Sequence, residues 1–268
     1  MMVIIFFQQE QAMSQHPKSE QAAHAFMRPR RPETPKPLIL KGCETLQIHT
    51  PEGQIAVQRV GTGPAVLLAH GWEGQASDLA AFVQPLLDAG FSVLAMHLLG
   101  HGQSSGQTSS IPQAARALVA VGSQLGPFHA AIAHSVGSAV LVEAMHAGLV
   151  VKRVVLLAAP AHYESYVRGV ATAFGLDAAE TEVMMDLLSN AMGTPVREVS
   201  LPRRALARSE PALLIHSSDD RAVPIEDSLA TAHAWPGAVH QRVEELGHRR
   251  LLADKTVVGL SVNFVSTH

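Results

Sequence analysis

Residues 65–69, Ala-Val-Leu-Leu-Ala, are apolar at every position. A strand with one wet face alternates apolar and polar side chains, so an unbroken run of this kind belongs to a strand covered on both faces. Largely apolar runs that also read as buried strands recur at 91–96, 128–133, 153–158 and 212–216. Between them lie segments with apolar residues at helical spacing, such as Leu79, Phe82, Val83, Leu86 and Leu87 before Gly90, with Asp78 placed to cap them. Buried strands alternating with helices imply a parallel sheet joined by right-handed crossovers, with helices on both faces. Further helices are expected at 112–125, 136–147, 225–235 and 249–265, and a last strand at 238–244. Residues 44–49 and 54–60, joined by Pro51-Glu52-Gly53, read as an antiparallel hairpin at one edge. The fold class is therefore α/β, a doubly wound, mostly parallel sheet of about eight strands.

The alternation stops at Pro160. Two helix-like stretches, 162–174 and 178–192, follow without a strand between them, and an insertion over about 160–205 is expected above the carboxyl ends of the strands as a small helical cap. Residues 8–37 are Gln-rich and then Pro-rich, a composition poor in core-forming side chains, and residues 1–37 are expected to be a disordered tail before a domain at 38–268. Within the tail, Arg28, Arg30, Arg31 and Lys36 are interleaved with prolines and read as an extended linker. The apolar opening, residues 1–7, is too short to span a bilayer and lacks the flanks of a secretory signal. A start at Met13 or Met27 would account for the tail equally well.

With 268 residues, 47% of them apolar, and a net charge of −3, the chain can bury one sizeable core and shows no electrostatic footprint for nucleic acid or an anionic membrane. One cysteine, Cys43, excludes a disulfide framework and fits a cytoplasmic protein. The histidines show no ligand spacing, and no metal is expected.

In open α/β sheets the loops after the strands carry the chemistry. The polar residues at those ends include His70, His97, Ser135, Asp219 with Asp220, and His248. Ser135 sits where a strand turns directly into a helix. A serine there is either a plain N-cap or a side chain pushed out above the sheet by a strained backbone. The second case needs small neighbours two positions away, and Ala133 and Gly137 are small. His70-Gly71-Trp72-Glu73-Gly74 follows the first buried strand, and its glycines allow backbone N–H groups to approach a ligand. The N–H groups of Trp72 and Val136 form the natural pair of donors for a developing oxyanion, with the Trp72 indole as a candidate pocket wall. Met184, Met185, Leu187 and Leu188 read as the buried face of a cap helix. Met184, Met185 and Leu188 are also candidates for lining the substrate pocket.

Taken together, "LLAHGWEG" (67–74), "LLGHGQSSG" (98–106), "AHSVGS" (133–138), "LLIHSSDDRAVP" (213–224) and "ELGHRRLL" (245–252) resemble the α/β-hydrolase superfamily over roughly residues 45–265. The order Ser…Asp…His is the one associated with its nucleophile elbow. The resemblance implies Ser135 as nucleophile, Asp220 as acid, His248 as base, and an oxyanion hole from Trp72 and Val136. The sequence departs from the family pattern at Ala133, Ser217 and His97, the last standing where aspartate is usual.

The function expected from these residues is hydrolysis of a small-molecule carboxylic ester or thioester through an acyl-enzyme, with no cofactor, no nucleic-acid partner and no stable membrane insertion. Acyltransferase, lyase or haloperoxidase chemistry on the same triad is one alternative. A non-catalytic ligand-binding protein of the same fold is the other.

Overall fold

The computed structural model describes residues 16–31, 36, 38 and 41–267. Helix α1 (Pro17–Met27) precedes the hairpin β1 (Glu44–Thr50) and β2 (Gly53–Val60). Then come β3 (Ala65–Ala69), α2 (Ala80–Asp88), β4 (Ser92–Met96), α3 (Ile111–Leu125), β5 (Ala130–His134), α4 (Val136–His146) and β6 (Val154–Leu157). Helices α5 (Tyr163–Ala173), α6 (Ala178–Met192) and the short α7 (Leu201–Ala205) follow without a strand. The chain closes with β7 (Ala212–Ser217), α8 (Ile225–Ala234), β8 (Val239–Val243), the single turn α9 (Gly247–Arg250) and α10 (Lys255–Ser266).

The eight strands form one sheet in the order β1-β2-β4-β3-β5-β6-β7-β8. Pairing is antiparallel through β1, β2 and β4, and parallel from β4 through β3 to β8. The unbroken apolar run of β3 divides between two cores: Leu67 and Ala69 join the cluster beneath α3 and α4, while Val66 and Leu68 join the one against α2 and α10. Two-sided burial explains why no polar residue interrupts the run. The chain leaves β3 for β4 on one side and returns to β5 on the other. That reversal is a topological switch point, where loops diverge and leave a crevice. Register aligns Ala69 with Ala133 and His134 with Leu157, so His70–Gly71 and Ser135 emerge at the same edge.

Local chemistry sets the helix ends. The Ser110 hydroxyl accepts the Gln113 N–H at the start of α3. Asp177 and Glu180 form a reciprocal capping box at the start of α6, which ends on left-handed Gly193. Asp78 does not cap α2. It lies in a 3-10 turn over Ala76–Leu79, where its carboxylate accepts the Gln75 N–H. The closing helix is likewise shorter than the pattern at 249–265 suggests. Asp254 accepts the N–H groups of Thr256 and Val257 and starts a new helix, leaving residues 247–253 as separate turns.

Residues 16–31 correct the reading of 1–37 as a disordered tail. Residues 17–27 are helical, with Pro17 in the first turn, and the helix packs on α5 and α6. Ser19, Ala22, Ala23 and Phe26 recur at i, i+3, i+4 and i+7, and the first three are buried. These small residues let the helix lie close on α6, where the Ser19 hydroxyl donates to the Glu180 carbonyl at 2.8 Å. The basic run is no free linker either. The Arg31 guanidinium donates to the carbonyls of Gly100, Ser104 and Gly106 at 2.8, 3.0 and 2.5 Å, and Arg30 pairs with Glu73 at 3.1 Å. The apolar opening at 1–7 lies outside the described residues. Among those described, no helix is long and apolar enough to cross a membrane.

Candidate active site

Ser135 has φ 51° and ψ −126°, a conformation that non-glycine residues rarely adopt. Its side chain makes no helix-capping bond, which removes the N-cap alternative. The chain turns from β5 into α4 with Ser135 alone between them, and the space behind it is correspondingly tight. A methyl added to Gly137 would stand 2.4 Å from the His70 carbonyl oxygen and 2.6 Å from that of Ala69. Ala133, on the strand side, is fully buried and its methyl is accommodated. The 71–74 loop approaches just as closely: a methyl on Gly71 would meet His134 Nδ1 at 2.9 Å and Ser135 Cβ at 3.1 Å.

Three of the candidate residues come together. His248 Nε2 lies 3.0 Å from Ser135 Oγ, and His248 Nδ1 lies 2.7 Å from Asp220 Oδ2. The other oxygen of Asp220 accepts the N–H groups of Ala222 and Val223 at 2.8 and 3.0 Å. Burial pushes the Asp220 carboxyl up, but bonds from His216, His248 and these two N–H groups outweigh it and hold the group well below the usual carboxylate range. A carboxylate on Nδ1 fixes the tautomer that leaves Nε2 as acceptor toward the serine hydroxyl.

Asp219, the neighbour, points elsewhere. It accepts the Ser217 hydroxyl at 2.5 Å and the Gly247 N–H at 2.8 Å, while the Ser217 oxygen accepts the N–H groups of Leu246 and Gly247. These bonds tie the end of β7 to the turn carrying His248. The serine that departs from the family pattern at 217 thus acts as a linchpin of that turn.

His134, which precedes the serine, packs its ring 4.7 Å from that of His248, and its Nε2 lies 2.9 Å from the His248 carbonyl oxygen. Burial, reinforced by the neighbouring His248, lowers its pKa to about 3. It is therefore a neutral donor that pins the backbone of His248. No sequence signal beyond adjacency to Ser135 identifies it.

Trp72 and Val136 both line a cavity of about 450 Å³ that also reaches Ser135 and His248. Val136 is the first residue of α4, so its N–H has no acceptor within the helix. Trp72 is held edge-on to His101, ring centres 5.0 Å apart. A second cavity of about 260 Å³ shares Trp72, Ser135 and His248 and is lined by Asp78 and Arg249.

Met184, Met185 and Leu188 do not line the large cavity. All three are buried in the core beneath α6, because the apolar face of that helix turns toward α1 and the body of the domain. The walls come instead from Ala25 and Phe26 of α1, from Tyr163, Tyr166 and Val170 of α5, and from Ile111, Val199 and Leu201. Phe26 completes the i+7 step of the small-residue stripe on α1, which is the signal that marks it in the sequence.

His97 is fully buried, and neither of its ring nitrogens has a hydrogen-bond partner among the described residues. Burial and the nearby His101 lower its pKa to about 4. It lies 6.1 Å from His70, ring centre to ring centre, and touches none of Ser135, Asp220 or His248 through a hydrogen bond or ion pair. Among the described residues no group of three or more His, Cys, Asp or Glu is arranged to hold a metal ion.

A family model described as "Alpha/beta hydrolase family" matches residues 66–260. Among solved structures, an esterase from Exiguobacterium antarcticum superposes with a TM-score of 0.68 at 18% identity, over 84% of this chain and 100% of its own. A Pyrococcus furiosus esterase superposes with a TM-score of 0.69 at 17% identity, covering 89% and 98% of the two chains. The thioesterase domain from the curacin biosynthetic pathway gives 0.61 at 16% identity, over 84% and 99%. No curated protein sequence matches this chain.

Proposed function

The chain belongs to the alpha/beta hydrolase family, and on that premise we propose that it is a serine hydrolase that cleaves a small-molecule carboxylic ester or thioester through an acyl-enzyme. The observation that carries this reading is the linked set Ser135 Oγ–His248 Nε2 at 3.0 Å and His248 Nδ1–Asp220 Oδ2 at 2.7 Å. Esterases and a thioesterase domain share the fold, which is compatible with either leaving group.

His248 Nε2 takes the Ser135 proton as Oγ forms its bond to the carbonyl carbon, and the carbonyl oxygen becomes an oxyanion. The N–H groups of Val136 and Trp72 receive that oxyanion; losing one such donor costs about 3–4 kcal/mol of barrier in other hydrolases. As the carbon–heteroatom bond breaks, His248 gives the proton to the departing alcohol or thiol. Water then attacks the acyl-enzyme with His248 again as base, releasing the acid and restoring the Ser135 hydroxyl. Asp220 stays ionised throughout and stabilises the imidazolium.

The experiment is labelling by a fluorophosphonate probe together with hydrolysis of p-nitrophenyl esters, on the wild type and Ser135→Ala. Rapid labelling and turnover, both abolished in the variant, support the reading. A folded wild type that takes no label overturns it. Product analysis with added alcohol separates hydrolysis from acyl transfer.

A further inference from the structure

The large cavity beside Ser135 is bounded on one side by a helix that precedes the α/β domain in the chain. Ala25 and Phe26 of α1 are part of its wall, and Phe26 lies against Tyr163 of the cap, ring centres 5.2 Å apart and planes inclined by 57°. The helix is tied down at both ends. Ser19 holds its first turn to the Glu180 carbonyl of α6, the Met27 carbonyl accepts the Ser109 N–H at 2.8 Å, and Arg31 binds three carbonyls of the 100–106 loop. These are partly buried or multiple contacts, which define a position rather than a loose association.

Among the described residues, no Asp, Glu, Lys or Arg side chain lines this cavity. Its charge-capable members are His248, and Tyr163 and Tyr166, whose hydroxyls burial keeps protonated. A cavity of about 450 Å³ falls in the range of small-molecule sites, and walls of this kind take an uncharged, apolar group. The smaller cavity at the same serine differs in that Asp78 and Arg249 line it. A substrate ester bound at Ser135 thus meets one apolar and one polar recess.

Resting on the serine-hydrolase reading above, we propose that α1 is a wall of the acyl-binding cavity and that Phe26 is a specificity-determining residue which limits the length of the apolar acyl chain accepted. Its benzyl group takes space within the wall. Removing it lengthens the channel along the cap, and enlarging it shortens the channel. Each methylene that newly enters an apolar site contributes about fourfold in the specificity constant, the ratio that corresponds to its transfer from water. Room for two more methylenes therefore shifts preference by roughly tenfold or more.

The test is the ratio of kcat/KM for p-nitrophenyl dodecanoate to that for p-nitrophenyl butyrate, measured on full-length wild type, Phe26→Ala and Phe26→Trp. The ratio is expected to rise about tenfold in F26A and to fall in F26W, with thermal melts reporting that each variant is folded. A parallel measurement needs no turnover. Binding of the fluorescent fatty acid 11-(dansylamino)undecanoic acid is followed in Ser135→Ala, alone and combined with F26W, and the added substitution is expected to weaken it at least several-fold. If the wild type hydrolyses esters but the ratio is the same in all three proteins, α1 is only a packing element and the proposal is overturned. If the wild type hydrolyses no ester while probe binding still responds to F26W, the hydrolase reading fails and the wall stands. Probe binding that ignores F26W overturns the wall by the second route.

Discussion

Replacing Asp220 by asparagine is isosteric, and the surrounding bonds decide which way the amide faces. Oδ1 accepts two backbone N–H groups, from Ala222 and Val223. An amide nitrogen in that position would face two donors, so the carbonyl oxygen must stay there. The NH₂ group is then directed at His248 Nδ1, 2.7 Å away in the present structure. It can only donate, so Nδ1 becomes the acceptor and the imidazole proton moves to Nε2. That nitrogen lies 3.0 Å from Ser135 Oγ and must be unprotonated to take the hydroxyl proton. The base is therefore locked in the wrong tautomer, and the stabilising carboxylate is gone as well. The expected loss is roughly 10³–10⁴ in kcat, the size seen for the equivalent change in a serine protease, or about 4–5.5 kcal/mol of barrier. The assay is steady-state hydrolysis of p-nitrophenyl butyrate at pH 7–8, with melts to establish that the variant is folded. Asp219→Asn is the internal control. That carboxylate serves the 217–247 turn and makes no bond to His248, so about tenfold or less should be lost. A loss below tenfold in Asp220→Asn, or a larger one in Asp219→Asn, refutes the tautomer argument.

Ser135→Ala should abolish turnover and leave the thermal midpoint unchanged or slightly raised, since the hydroxyl caps nothing; a fall of several degrees with activity retained would contradict this. Gly137→Ala should destabilise by about 1–3 kcal/mol, because the new methyl meets two backbone carbonyl oxygens that cannot move aside, and chemical denaturation measures it. His97 is neutral when folded, with its pKa lowered to about 4 from an ordinary 6.5. Between those values the unfolded chain binds a proton that the folded one refuses. Stability is therefore lost as pH falls from 6.5 toward 4, by an amount of order 3 kcal/mol for this one group. His97→Leu should hold or raise the midpoint at pH 7 and flatten the acid limb of stability against pH; an unchanged slope would show that His97 is not among the groups responsible.

The sheet was legible because its signal is local. The β3 run needs two covered faces, and the helical spacing of Leu79, Phe82, Val83 and Leu86 places α2 on one of them. The elbow was legible for the same reason, since a strand end, a serine and a small residue two positions on lie within a few residues of one another. The start of the last helix was not. Residues 249–254 continue its helical pattern, yet Asp254 bonds the following N–H groups and starts the helix afresh at Lys255. The stripe Ser19, Ala22, Ala23 and Phe26 was also in plain sight. It was masked by the polar and proline-rich residues around it, and because alanine and serine carry little of the hydrophobicity by which an amphipathic helix is usually seen.

The sequence alone determines that this chain builds a parallel, two-sided α/β sheet and brings a serine to a strand-to-helix turn, because periodicity and turn chemistry act between near neighbours. Tertiary structure alone decides which surfaces enclose that serine. Phe26, Tyr163 and Ile111 are far apart in the chain and become one wall only because α1 docks on α5 and α6. Met184, Met185 and Leu188 are removed from that wall by the same docking, which turns their helix face into the core. Burial of a helix face depends on what lies opposite it, and periodicity reports that a face is apolar without saying whether a neighbouring helix or a ligand will cover it.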